Sequence, residues 1–192
     1  MSIKILTFAG STRSNSVNKR LAKVALNRIQ DLGYQGTFVD LRDLEIPLYD
    51  GDLETNFGLP KGVIKLKRMM INHDGFIISS PDYNGLIPPV LKNAIDWVSR
   101  KESGEKTYTA FKGKCIGLLS TSGGKSGGHK GLVSVRQVLT KLGSEVIPRH
   151  FGLPKASLDL FEDNSLKDLT DRENLNKVVD ELIMSIKNSN DK

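Results

Sequence analysis

IKILTFAGSTRSNSVNKRLAKVALNRIQDLG, residues 3–33, carries two hydrophobic periods and a break between them. Ile3 to Ala9 form a short, mostly apolar run without breakers, the pattern of a strand buried on both faces of a parallel sheet. From Val17 the period changes. Val17, Leu21, Val24, Ala25, Ile29 and Leu32 fall on one stripe, with Asn18, Lys19, Lys23, Asn27 and Arg28 off it. This predicts an amphipathic helix stopped by Gly33.

Between strand and helix lies GSTRSNS, residues 10–16. The first turn of the helix offers free N–H donors and a positive dipole end, both satisfied by a bound anion. Ser11, Thr12, Ser14 and Ser16 add hydroxyls, and Arg13 adds a forked cationic donor. The competing reading makes Ser16 a plain N-cap and Arg13 a solvated surface residue. The loop has neither a Walker spacing nor a GxGxxG fingerprint, so a monophosphate suits it better than a pyrophosphate.

Outward from this unit, GTFVDL (36–41) reads as a second strand and Leu41 to Pro60 as a long loop rich in Pro, Gly and acids. Pro60 can open a helix through Val63, Ile64, Leu66, Lys67 and Met70. GFIISS (75–80) is a third strand. A turn cluster from Pro81 then leads to a helix entered at Pro88 and Pro89, with Leu91, Ala94, Ile95 and Val98 as its apolar stripe and Trp97 beside it. KCIGLLS (114–120) is a fourth strand running into TSGGKSGG (121–128). A helix follows from about Lys130 to Leu142. SEVIP (144–148) is a fifth strand ended by Pro148, and a closing helix covers roughly 166–187.

Strands alternating with amphipathic helices specify an α/β fold, a doubly wound five-stranded parallel sheet in three layers. Ligands of such sheets bind beyond the strands' carboxyl ends, where strand order reverses. In the flavodoxin-like order 2-1-3-4-5, the loops after strands one, three and four meet on one rim.

At 192 residues the chain is expected to be one domain, residues 1–188, with a flexible tail at 189–192. The lone Cys115 excludes an intrachain disulfide and suggests a reducing, cytoplasmic setting; its apolar surroundings suggest a buried, inert thiol. MSIKI leads straight into a strand, leaving no room for a leader peptide, and no apolar run reaches membrane-spanning length. The net charge of +6 favours anionic partners. Nucleic acid is disfavoured, because the lysines are scattered and not interleaved with aromatics.

Taken together, GSTRSNSVN, PDYNGLIPPVLKNAIDWVSR and TSGGKSGG resemble the NADPH-dependent FMN reductase family, which covers flavin, quinone, azo and chromate reductases of flavodoxin-like fold. The resemblance runs from the first strand to about Pro148. The family's middle motif is similar to P-E-Y-N followed by L-K-N-A-I-D-W, and here Asp82 replaces the glutamate.

The resemblance implies an FMN-dependent oxidoreductase in which Ser11, Arg13, Ser16, Val17 and Asn18 hold the flavin phosphate. Pro81, Asp82, Tyr83, Asn84 and Gly85 would line the isoalloxazine, and Thr121, Ser122, Gly123 and Gly124 would flank its pyrimidine end. NADPH or NADH would donate hydride to bound FMN. A small acceptor, whether quinone, azo compound, flavin or metal oxyanion, would then take it in ping-pong fashion. No side chain is needed as acid or base; of His73, His129 and His150, His129 lies nearest the glycine loop. Arg100, Lys125 and Lys130 are candidates, by charge, for the extra phosphate of NADPH. A homodimer or homotetramer is implied, with the helix carrying Trp97 as a plausible contact or Trp97 as core. A flavodoxin-type electron carrier and a non-redox regulatory or nucleic-acid-binding module are the rival readings.

Overall fold

The computed structural model describes residues 3–190. Five parallel strands, β1 (Lys4–Ala9), β2 (Gln35–Val39), β3 (Gly75–Ser79), β4 (Cys115–Thr121) and β5 (Glu145–Leu153), form one sheet in the order β2-β1-β3-β4-β5. Helices α1 (Val17–Asp31), α2 (Gly51–Phe57), α3 (Lys61–Ile71), α4 (Pro89–Val98), α5 (His129–Lys141) and α6 (Leu169–Asn190) cover it. The strand order and layering are those expected of a doubly wound sheet.

The strands are apolar on both faces because both are covered. Leu6, Phe8, Phe76, Ile78, Ile116 and Leu118 point into a core shared with α3, α4 and α5. The intervening Ile5, Ile77, Cys115 and Leu119 point into a second core, shared with α1 and α6. Cys115 is buried, as its surroundings suggested.

Several boundaries differ from the sequence reading. The stretch 41–60 is not loop throughout: it holds a 3-10 turn at Leu41–Leu44 and α2, whose first turn is capped by Asp50 accepting from the Asp52 N–H at 2.8 Å. Pro148 does not end β5. The strand is at the sheet edge, and its pairing with β4 jumps from Ile116↔Val146 to Leu118↔His150, so Pro148 falls in a bulge where no ladder donor is required.

Beyond β5, a 3-10 turn at Leu158–Leu160 and a small antiparallel pair, β6 (Phe161–Glu162) with β7 (Ser165–Leu166), lead into α6. The closing helix starts at Leu169 and runs to Asn190, so residues 189–190 of the expected tail are helical; residues 191–192 lie outside the described residues. Among the described residues, no helix is long and apolar enough to cross a membrane.

Candidate functional site

Loop 10–16 leaves β1 beside β3, tied there by the Gly10 N–H donating to the Ser79 carbonyl at 2.9 Å. Ser16 is the N-cap of α1, its hydroxyl accepting from the Lys19 N–H at 3.3 Å. Asn18 and Lys19, expected off the apolar stripe, are both buried, for different reasons. Lys19 pairs with Asp40 at 2.6 Å. Asn18 is a junction: its Oδ1 accepts from the Ser79 hydroxyl at 2.9 Å and the Thr121 N–H at 3.2 Å, and its Nδ2 donates to the Thr121 carbonyl at 3.1 Å. One amide therefore joins α1, β3 and β4 at the rim. Its Oδ1 is fully engaged, while one hydrogen of its Nδ2 and its backbone N–H remain for an anion.

The turn after β3 is built on Asn84 and Gly85, whose φ values of 57° and 81° suit an Asn-Gly pair in a tight turn. Tyr83 and Leu86 exchange backbone hydrogen bonds across it at 3.2 and 3.1 Å. Asp82 stands where the family motif has glutamate, and the shorter side chain caps fully. It accepts from the Gly85 N–H at 2.6 Å and, with its other oxygen, from the Gly131 N–H in the first turn of α5 at 3.0 Å. On the facing side, a Cβ at Gly131 would make a tight 3.1 Å contact with Asp82, and one at Gly128, where φ is 86°, would overlap the Ser120 hydroxyl.

The third loop follows β4. Thr121 donates its hydroxyl to the Leu153 carbonyl at 2.8 Å, while the N–H groups of Ala156 and Lys155 donate to the carbonyls of Ser122 and Gly124 at 2.9 and 3.2 Å. The segment after β5 thus braces this loop, a role the sequence reading did not assign. Its signal was the continued alternation of Phe151 and Leu153 past Pro148.

The three loops enclose one cavity of about 200 Å³. Of the residues predicted to bind cofactor, Ser11, Arg13, Ser16, Val17 and Asn18 line it from the first loop. Pro81, Asp82 and Tyr83 line it from the second, and Thr121, Ser122 and Gly123 from the third, with Ala156 added. Asn84, Gly85 and Gly124 are outside this lining. Larger cavities exist, so chemistry and not size identifies the site.

Other candidates are placed elsewhere. Arg100 is paired with Glu54 at 2.9 Å over the Tyr49 ring, which holds the Glu54 carboxyl below its usual range and removes Arg100 as a free phosphate ligand. Trp97 is wholly buried and donates to the Pro47 carbonyl at 2.9 Å, so it is core and not an available subunit contact. His73 closes the end of α3 against the Met69 carbonyl at 2.6 Å. His129 Nδ1 and His150 Nε2 lie 3.0 Å apart; burial, and next the charge of His129, lower the pKa of His150.

A twisted sheet of this order, with a helix-start anion loop and two further loops meeting it at one rim, defines the flavodoxin-like class of mononucleotide-binding folds. The chain belongs to the NADPH-dependent FMN reductase family, whose model matches residues 3–157. FMN and a nicotinamide donor come with that membership.

Among relatives, a 2-hydroxy-1,4-benzoquinone reductase of Burkholderia is 38% identical over 117 residues, covering 61% of each chain and so less than two thirds of that protein. The NAD(P)H-dependent FMN reductase PA1204 of Pseudomonas aeruginosa is 33% identical, over 73% of this chain and 71% of that one. The Escherichia coli quinone reductase is 32% identical, over 76% and 73%. The NAD(P)H:acceptor oxidoreductase FerB of Paracoccus denitrificans superposes with a TM-score of 0.81 at 24% identity, over 97% and 98% of the two chains, and attests the shared fold.

The residues present fit FMN. The cavity lining joins cationic and hydroxyl donors for a phosphate, at Arg13, Ser11 and the N-terminus of α1, to a flat wall of Pro81 and Tyr83. Small residues at Ser122 and Gly123 allow close backbone approach. The Arg13 guanidinium has no ion-pair or hydrogen-bond partner among the described residues, so it is free to bind an anion.

Proposed function

We propose that this protein is an NAD(P)H-dependent, FMN-containing reductase of small planar acceptors, quinones foremost. The observation that carries this reading is the convergence of the three loops on one cavity whose lining joins the cationic and hydroxyl groups of Arg13, Ser11 and Ser16 to the rings of Pro81 and Tyr83.

In this reading Arg13, the hydroxyls of Ser11 and Ser16, and the N–H groups of Val17 and Asn18 hold the phosphate. Pro81 to Gly85 orient the ring, with Asn84 and Gly85 shaping the turn from outside the cavity. The N–H groups of Ser122 to Gly124 favour negative charge at the ring's polar edge, as an oxyanion site does. FMN, when bound, supplies the two-electron chemistry, so no side chain need act as acid or base. The cavity, about 200 Å³, is smaller than the ~300–1,000 Å³ of typical small-molecule sites, so in this reading part of the bound flavin stays accessible to donor and acceptor. Donor and acceptor share that part in turn, which makes the exchange ping-pong.

The relatives' names supply the acceptor class: two are quinone reductases, one of them acting on 2-hydroxy-1,4-benzoquinone. A cytoplasmic homodimer or homotetramer completes the proposal. The test is the visible spectrum of the purified protein during anaerobic addition of NADPH and then benzoquinone. The expected result is a flavin band bleached by the first and restored by the second, with parallel double-reciprocal lines at steady state. A colourless protein that cannot be reconstituted with FMN overturns the reading. Size-exclusion chromatography reads the oligomer, and a monomer at micromolar concentration removes it.

A further inference from the structure

Among the described residues, Asp82 is the only carboxylate that lines the three-loop cavity. Helix α5 has no cap of its own, because Gly128 stands at its N-cap and its first turn holds no acid. The anion that serves it is Asp82, which accepts from the Gly131 N–H at 3.0 Å and, with its other oxygen, from the Gly85 N–H at 2.6 Å. It makes no ion pair among the described residues. One backbone donor on each oxygen and a helix end of about half a unit charge offset a full negative charge only in part. The remainder sits in a half-buried wall, where loop 81–85 meets the start of α5. Arg13, the lining's one cation, belongs to the first loop and so to the phosphate.

We propose that Asp82 holds the reduction potential of bound FMN low and so suits the enzyme to weakly oxidising acceptors, electron-rich quinones that carry hydroxyl groups or fused rings. The inference rests on the functional reading above. A hydride delivers two electrons and one proton, so the reduced ring carries one more negative charge than the oxidised ring, and a charge fixed in the wall beside it shifts that equilibrium. Asp82 opposes the added charge. It also takes up two N–H groups, one of them at the positive end of α5, that would otherwise favour it. The N–H groups of Ser122 to Gly124 act in the other direction, and the balance sets the potential. A lower potential strengthens the return of hydride to a quinone, which with one proton from solvent becomes the hydroquinone. Strongly oxidising quinones accept hydride readily in either case, so the charge matters most for weak ones.

Spectroelectrochemical titration of the FMN-loaded protein tests this with two variants. Asp82→Asn removes the charge and keeps the shape, and Asp82→Glu keeps the charge and changes the length. In Asp82→Asn the ratio of reduced to oxidised flavin at a fixed potential is expected to rise about tenfold, a midpoint shift of about +30 mV for a two-electron couple. Asp82→Glu is expected to stay near the wild type. The ratio of kcat/KM for 1,4-benzoquinone over the weaker oxidant 2-hydroxy-1,4-naphthoquinone should rise about threefold in Asp82→Asn, half of the lost driving force reaching the barrier. Melting of the FMN-free variants reads the loss of the cap separately. Should Asp82→Asn not fold, Asp82→Ser, whose hydroxyl can accept one N–H without a charge, takes its place. If neither folds while Asp82→Glu does, the carboxylate is a structural cap alone and the proposal fails. An unchanged midpoint in Asp82→Asn overturns it and leaves the reductase reading standing, as does an equal shift in Asp82→Glu, which assigns the effect to loop geometry. Wild-type protein that binds no FMN sinks the reductase reading itself.

Discussion

The two ends of the parallel sheet solve the same problem, terminating helices and strands, in opposite ways. At the amino end of the strands, α1 meets β2, α3 meets β3 and α5 meets β5 through the short turns 32–34, 72–74 and 142–144. The α4–β4 connection, 99–114, is the exception, long and tied by the Lys67 ammonium to the Arg100 carbonyl at 2.8 Å. Gly33 and Gly143 take φ values of 81° and 85°, and the freed carbonyls are capped locally, as by the Gly33 N–H on Gln30 at 2.8 Å. At the carboxyl end the loops are longer and held by distant side chains: Asn18 binds Thr121 across 103 positions, and Asp82 binds Gly131 across 49. At those three turns the carbonyls freed at the helix ends are taken up by the chain itself, by the next N–H groups or, at Ile71, by the Lys114 ammonium at 2.9 Å. Long-range bracing fixes the loops while leaving backbone N–H groups and Arg13 open to one.

If that contrast is right, damage at the rim couples stability to cofactor binding, and damage at the other end does not. The largest effect is expected for Asn18→Leu, which strands the buried Ser79 hydroxyl and both backbone groups of Thr121. It should cost about 3 kcal/mol, lowering Tm by on the order of 10 °C in a chain of this size, and FMN affinity should fall with it. Thermal melts with and without FMN read both.

Next is Arg13→Ala, expected to weaken FMN binding by roughly 2 kcal/mol through loss of a charge-assisted contact. The melting point of the FMN-free protein should not move, because Arg13 is exposed and without a partner. Unchanged FMN retention would break the claim that the rim is built for an anion.

Gly33→Ala at the opposite end forces a Cβ into the left-handed region at φ 81°, for about 1 kcal/mol. Equilibrium denaturation should show that loss, and FMN titration should show none.

The smallest expected effect is a pH dependence. His150 has a folded pKa below its ordinary 6.5, burial being the larger cause and the charge of His129 the second. The unfolded chain then binds more protons, so stability is full above pH 6.5 and declines as pH falls through the depressed value. Denaturation midpoints at pH 7 and pH 5 should differ less in His150→Gln than in the wild type.

Much of this was legible in the chain. The seven-residue, mostly apolar run, the change of period at Val17 and the stop at Gly33 are local signals, and their repetition specified the alternating elements, while the order of the sheet came with the flavodoxin-like resemblance. The polar loops at three strand ends named most residues of the cavity. What escaped was anything whose cause lies far along the chain. Pro148 read as a terminus because a strand's edge position, which excuses its missing donor, is a property of the whole sheet. Asn18 and Lys19 read only as lying off the apolar stripe, and their burial was hidden because their partners, Thr121 and Asp40, are visible only after folding. Arg100 read as a free charge for the same reason.

The sequence by itself determined the periodicities, the helix stops and the clustering of hydroxyl, glycine and arginine where each strand runs out, because such preferences arise between residues a few positions apart. Tertiary structure decided which charges remain unpaired, which polar side chains tie loops together, and that the segment after β5 closes the site, because these depend on contacts between groups tens of residues apart whose meeting only the packed sheet arranges.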